Sequence, residues 1–433
     1  MRPRCVFALA LSLGLVWGAV MTPLAVPDEE YHYRVSFCLS NRLLCRTGAP
    51  TVGEARYFDF HDLRPHGNVP EGYARVFREL GPAGEDTRSV TVLETLPRVY
   101  LPMYLPQTLG LALGRALRLG FGGTFALGRL GNLLFYALCL ALAAALSPGH
   151  SLALTAAGLL PMALHQAASF SYDAFLNGLA LVYFAALLRL SDGAGPIRAR
   201  DWRVLVVSAA LLAPAKGAGV PLLMLVWLLP PERFASPADR RRRLWGLLGL
   251  SALTMAVFFL PTIARQWGDA LNWEGGRNYT PAFVLAHPGS AARLYIRTLG
   301  REGARWMLCM AGYSLAGLTL TLPRWIPALG LALLPLAGTP ENARVDKKAR
   351  LAYALAFLAT VLLCMTVMLF TWTSDTRQII QGVQGRYFLP AAAPLSLALA
   401  PPKGWKHQKT AVTAAMAAVN AAAVYCVLEY TLG

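Results

Sequence analysis

Long apolar runs separated by short polar loops carry almost the whole chain. A helix needs about 20 mainly apolar residues to cross a bilayer. Runs that approach this length lie at residues 5–26, 99–117, 125–146, 151–170, 175–190, 204–229, 244–263, 325–336 (with an apolar lead-in from Trp306), 351–372, 387–400 and 410–430. None shows strand-like alternation, and lipid tolerates only helices or closed barrels, so all are expected as helices. The pattern predicts an all-α, polytopic transmembrane bundle. The last run is rich in small residues (AVTAAMAAVNAAAV) and should pack closely on its neighbours. The expected organisation is an N-terminal anchor (1–26), a large first loop outside the membrane (27–98), and a multi-helix domain (99–433).

The charges collect in the loops and orient the runs. Arg2 and Arg4 place the N-terminus inside by the positive-inside rule. The first run is long for a signal-peptide core and lacks a clean cleavage site before Pro27, so an uncleaved anchor is expected over a cleaved signal peptide. Residues 27–98 then fall outside; they hold 11 of the 23 acidic residues. Arg240–Arg243, the ARVDKKAR loop and the PPKGWKHQK loop belong inside, with residues 265–305 and 373–386 outside.

One region conflicts with simple crossings. Arg189, Arg198, Arg200 and Arg203 should be inside, which makes residues 204–229 start and end on the same side. That segment contains APAKGAGVP, with Pro214, Gly217, Gly219 and Pro221 at its centre. Two half-helices broken near 214–221 would satisfy the charges and lift Lys216 to the outer face. This solution requires one segment between 99 and 146 not to cross fully; simple crossings throughout would instead leave four arginines outside.

Composition narrows the class further. The 433 residues are 56% hydrophobic and 15% charged, against about 25% charged in a soluble protein, with a mean hydropathy of +0.45. A disordered chain, a soluble multidomain enzyme and a disulfide scaffold are excluded. The net charge of +17 does not signal nucleic acid, because the basic residues sit in loops beside apolar runs and no RNA-binding motif accompanies them. Cys38 and Cys45 would be about 10 Å apart on a continuous helix, beyond disulfide reach, and could pair only if the helix ended near Asn41. No Cys/His spacing suggests zinc.

Four constellations could carry chemistry. Pro27-Asp28-Glu29-Glu30-Tyr31-His32 follows the first run and sets carboxylates at the membrane surface, where one can act as a general base or bind a divalent cation. Acids in a helix's first turn also complement its dipole and cap it. Ser169-Phe170-Ser171-Tyr172-Asp173 followed by Asn177 presents an acid at membrane depth, where such groups face a cavity or a partner; a capping Asp is the alternative. Lys216 lies in the Pro/Gly break, placed to neutralise a phosphate or to snorkel toward headgroups. Gln384-Gly385-Arg386-Tyr387 joins an outer loop to a run, and a guanidinium fork matches phosphate oxygens, although Arg and Tyr are also interfacial anchors. His165 is expected as a packed, hydrogen-bonded histidine. No Walker loop or strand-borne G-x-G-x-x-G is present, so no nucleotide fold is expected. A donor for transfer outside the membrane would then be a polyprenyl-phosphate-linked sugar.

These constellations in this order resemble a bacterial membrane family known as domain of unknown function 2142, grouped with the GT-C-type glycosyltransferases. The resemblance rests on PDEEYHY (27–33), PMYLPQTLG (102–110), SFSYDAFLNGLA (169–180), PAKG (214–217) and QGRYFLP (384–390). It implies a GT-C-like fold, an outward active site and a lipid-phosphate sugar donor. Carried onto this chain, it implies Asp28 as the base or acceptor-binding acid, with Glu29 second; Asp173 as a second outward acid; Lys216 as the lysine of the broken helix pair; and Arg386 as a contact to donor phosphate. His32 and Tyr387 join them as substrate-binding candidates.

The expected function is a membrane-embedded glycosyltransferase in the bacterial plasma membrane. Its partners would be a lipid-linked sugar donor, a glycan or lipid acceptor and membrane lipid, with no nucleic acid. Participation of a divalent cation is left open. A flippase of lipid-linked saccharides and a non-catalytic envelope assembly protein, with Asp28 and Asp173 as caps, are the rivals.

Overall fold

The computed structural model describes residues 1–46, 68–78, 96, 99–258, 260, 276–339 and 346–433. Most of the first loop expected at 27–98, and residues 265–275 of the loop expected at 265–305, therefore lie outside the described residues. Among those described, the chain is almost entirely helical, with a two-stranded antiparallel hairpin of Ser314–Leu315 and Leu320–Thr321. Among the described residues five helices are long and apolar enough to span a bilayer: Pro3–Val20, Phe121–Leu146, Asp173–Asp192, Lys347–Thr371 and Gln408–Leu432. The chain is an all-α, multi-pass helical membrane protein.

Several expected spans are shorter or interrupted. Residues 99–117 form a 3-10 turn, Leu101–Tyr104, and a helix Leu105–Ala116 of 12 residues. At 1.5 Å per residue that helix is about 18 Å long, short of a hydrocarbon core of roughly 30 Å. It doubles back onto Phe121–Leu146 so closely that a Cβ at Gly110 would collide with the Leu127 carbonyl. Residues 151–170 are not one span, as expected, but two helices, Ser151–Gly158 and Pro161–Ala167, because Pro161 lacks the N–H needed to continue the ladder. Residues 387–400 likewise divide into a 3-10 segment, Gly385–Ala391, and the helix Ala392–Ala398. The lead-in to Trp325–Ala337 is not apolar helix throughout: Pro288–Met310 ends before Gly312, and the hairpin intervenes. The run expected at 244–263 starts earlier, as Pro237–Phe258.

The segment at 204–229 is broken in its middle. Ala199–Leu212 is α-helical, Lys216 is extended (φ −166°, ψ 141°), and short turns Gly217–Gly219, Val220–Leu223 and Met224–Leu228 follow. Neighbours take up the freed carbonyls: Thr360 Oγ1 donates to Ala218 O at 3.4 Å, and the Tyr183 hydroxyl to Leu223 O at 2.9 Å. Both limbs meet one end of the bundle. There the Arg243 guanidinium lies 5.7 Å from the Trp202 ring, and Arg240 donates to Trp227 O at 3.3 Å.

That end is basic and includes the chain start. The Met1 ammonium donates to Ser151 Oγ at 2.6 Å, His150 pairs with Asp192 at 3.3 Å, and Arg350 donates to Ala398 O and Ala400 O. The last helix closes the bundle beside the first, as its small residues suggested. Trp17 Nε1 donates to Asn420 Oδ1 at 2.9 Å, and Asn420 Nδ2 to Leu159 O at 2.8 Å. The chain thus places Asp28, the start of Asp173–Asp192, Lys216 and the end of Lys347–Thr371 at the opposite end.

Candidate functional site

Each site residue sits at an irregularity in the backbone. Asp28 follows Pro27 with φ 62°, ψ 9°, a left-handed conformation that aspartate tolerates better than most side chains, and Glu29–Leu43 starts immediately after it. The SFSYD turn is pinned from beneath by Asn132, which donates to Ser169 O at 2.7 Å and Ser171 O at 2.9 Å. Asp173 opens its helix, and its own N–H donates to Ser171 Oγ at 3.2 Å. Lys216 projects from the break between prolines. Arg386 projects from a loop held tight on helix Pro288–Met310: a Cβ at Gly385 would collide with the Trp306 carbonyl and the Met310 N–H, which accounts for the glycine of Q-G-R.

Four charged side chains from four distant stretches meet here. Arg386 donates through a short hydrogen bond to an Asp28 carboxylate oxygen and at 3.3 Å to Pro27 O. Its Nε lies 3.7 Å from Asp173 Oδ2, and Lys216 Nζ donates to Asp173 Oδ1 at 3.3 Å. The Lys216 ammonium also sits 3.9 Å from the centre of the Tyr387 ring and 5.4 Å from that of Tyr172. Neither acid caps a helix: Asp28 and Asp173 have no side-chain cap bond, and both carboxylates face cations. Two carboxylates match two cations, so the cluster is neutral overall. The members differ in exposure. The side chains of Asp173 and Arg386 are each 5% exposed, whereas that of Asp28 is 60% exposed. Burial acts to raise the Asp28 carboxyl, but the Arg386 guanidinium outweighs it and holds the group below the usual carboxylate range.

The cluster stands between two cavities. The larger, about 860 Å³, is lined by Asp28, Glu302, Arg305, Trp372, residues 379–387 and others. Gln381 and Gln384 belong to its wall, but their side-chain oxygens are buried rather than open to it and have no partner within the protein. The smaller, about 300 Å³, is lined by Lys216, Tyr172, Tyr100, Phe258, Leu363 and Val367 among others. Tyr387 and Met368 belong to both walls.

Two expected members stand apart. Glu29, next to Asp28, points into the bundle: its carboxylate accepts from Arg129 Nε at 2.9 Å and Nη2 at 2.7 Å, and from the Phe170 N–H at 3.1 Å. It is fully buried and lines neither cavity, so this geometry speaks against the second-base role. His32 is also turned inward, against Tyr104 (Nδ1 to the hydroxyl, 3.1 Å) and the Tyr172 ring (4.8 Å between centroids). Burial pushes its imidazole down to about 4, with Asp28 and Asp173 pulling the other way, so it is neutral at pH 7 and supports the aromatic wall. Among the described residues no three His, Cys, Asp or Glu side chains converge as metal ligands, and both site carboxylates already face protein cations. No disulfide joins Cys38 to Cys45, the helix running on to Leu43. His165 packs edge-on to Trp17 at 5.9 Å and contacts Gln166, as a packed histidine should. Sequence reasoning missed Tyr172, Tyr104 and Trp372 as wall residues; adjacency to Asp173 was the available signal for the first.

A family model described as "Predicted membrane protein (DUF2142)" matches residues 11–395. No curated protein and no solved structure matches the chain.

Proposed function

The chain belongs to the DUF2142 family of membrane proteins, and with that as premise we propose that it is a GT-C-like glycosyltransferase. It moves a sugar from a polyprenyl-phosphate donor to an envelope glycan or lipid-linked acceptor on the outer face of a bacterial plasma membrane. The observation that carries this reading is the neutral cluster of Asp28, Arg386, Asp173 and Lys216 standing between two unlike cavities.

The division suits two substrates. The smaller cavity offers Lys216 for a phosphate and apolar side chains, Phe258, Leu363 and Val367, for the start of a prenyl tail. The larger offers Trp372 as a ring for a sugar face, with the Asp28 carboxylate open beside it. A donor phosphate entering a neutral cluster must take a cation from a carboxylate. Asp173 is enclosed, so the carboxylate displaced is the exposed one, Asp28. Freed from Arg386, Asp28 becomes a stronger base beside the acceptor cavity. It takes the proton of an acceptor hydroxyl as that oxygen attacks the anomeric carbon. The bond from that carbon to the phosphate oxygen breaks, and the phosphate leaves against Lys216 and Arg386. A single displacement inverts the anomeric centre. Donor binding thereby activates the base.

The test is purified protein in lipid nanodiscs with a radiolabelled polyprenyl-phosphate sugar and a glycan acceptor. Label joined to acceptor without any gradient is expected. Movement of intact donor across proteoliposome bilayers with no transfer would make the protein a flippase instead.

A further inference from the structure

The helix Pro288–Met310 carries Arg293, Arg297, Arg301 and Arg305 at a strict four-residue spacing. Each step advances about 6 Å and turns about 40° around the helix. The four side chains therefore wind around the helix rather than forming a straight row. All four are exposed, and Arg305 also lines the larger cavity together with Asp28 and Arg386. The helix is tied to that cavity's rim: Arg297 donates to Gln378 at 2.5 Å, and the Ile380 N–H donates to Thr298 Oγ1 at 2.9 Å. Counter-charge is sparse. Among the described residues one carboxylate, Glu302, reaches Arg301 (3.6 Å) and Arg305 (3.7 Å), and none pairs with Arg293 or Arg297.

We propose that this arginine ladder is a binding track for a polyanionic acceptor chain, a glycan bearing phosphodiester or carboxylate groups, whose end it leads into the larger cavity. The identity of the acceptor rests on the glycosyltransferase reading; the binding of the polyanion does not. The guanidinium fork matches phosphate and carboxylate oxygens, and a run of cations leading to a cleft also concentrates an anionic chain there. An anionic lipid surface is the competing occupant, given the exposed Leu285 and Ile296 nearby. A flat surface is met by side chains along one line, whereas these wind around the helix and finish at the cavity wall, which favours a chain that enters it.

The experiment measures binding of a fluorescent synthetic oligo(glycerol phosphate) to full-length protein in nanodiscs of neutral lipid, across a salt series. The wild type is compared with the triple variant R293Q/R297Q/R301Q. The triple variant should bind roughly tenfold or more weakly, with a flatter salt dependence, since screened exposed charges carry the interaction. Unchanged binding would overturn the proposal. So would a variant whose only loss is association with anionic-lipid vesicles, which would assign the ladder to the membrane. A short uncharged acceptor in the transfer assay separates the two readings: the triple variant should transfer to it as the wild type does. If neither protein transfers to any acceptor while the ladder still binds the polyanion, the enzymatic reading fails and the ladder stands.

Discussion

Asp28 and Glu29 are consecutive carboxylates, each facing an arginine from far along the chain, and they end in opposite circumstances. Glu29 is sealed: both oxygens take Arg129 donors, and the remaining donors of Arg129 go to Gly18 O, Met21 O and Thr22 O. Both carboxylate oxygens and every Arg129 donor have a partner, so the pair locks the turn after the first span onto helix Phe121–Leu146. Asp28 holds a guanidinium whose Nε makes no hydrogen bond, beside a cavity, with most of its carboxylate open to solvent. A buried pair with all bonds made has no reason to change; one with an open side and an unused donor can exchange partners. What separates structural from reactive acids here is completeness of bonding, not position in sequence.

That contrast can be broken most sharply by changing one acid at a time. D28N should lower transfer by roughly 10²–10⁴-fold, the usual worth of a positioned general base, with an unchanged melting temperature in detergent. Transfer near the wild-type rate would remove Asp28 from the chemistry. R129A should do the reverse, leaving Glu29 buried without its cation at a cost of about 3–5 kcal/mol. Size-exclusion profiles and melting curves would register it, and a wild-type melt would mean that the lock is dispensable.

K216M should act between these, lowering kcat/KM by about 10–10³-fold through lost stabilisation of the leaving phosphate. K216R should restore part of the rate, since Asp173 and the Tyr387 ring would still meet a cation; an Arg variant no better than Met would argue against a charge role. The pH profile sharpens the comparison further. Because Arg386 holds Asp28 below the ordinary carboxylate range, the acid limb of kcat/KM should lie below about pH 4. In R386Q the lowering influence is gone and burial remains, so the limb should move upward. An unmoved limb would show that another group sets it. The smallest effect is expected for W372A: a severalfold rise in acceptor KM with little change in kcat, measured by varying acceptor at saturating donor.

Much of this was legible in the chain, for identifiable reasons. The charged loops and the Pro/Gly break at 214–221 pointed to a segment returning to its own side, because loop arginines and prolines are local signals. Asp28, Asp173, Lys216 and Arg386 stood out because a charge beside an apolar run is conspicuous. Glu29 shares that signal with Asp28, and the sequence could not separate the two, since the Glu29 partner Arg129 is 100 residues away and appears in no local pattern. The division of 151–170 was signalled by Pro161 but masked by unbroken hydrophobicity. In a helix such as Asp173–Asp192, 89% buried over its most apolar window, no polar face marks which side meets what. The two cavities follow from packing between helices far apart in sequence, and nothing local encodes them.

In the proposed reaction a donor phosphate takes Arg386 away from Asp28. An experimental structure of the protein in nanodiscs with a bound polyprenyl phosphate tests it directly. The phosphate should lie between Lys216 and Arg386, on the side of the smaller cavity, with the Asp28 carboxylate swung free into the larger one. A phosphate bound elsewhere, or bound there with the Asp28–Arg386 pair intact, would contradict the account.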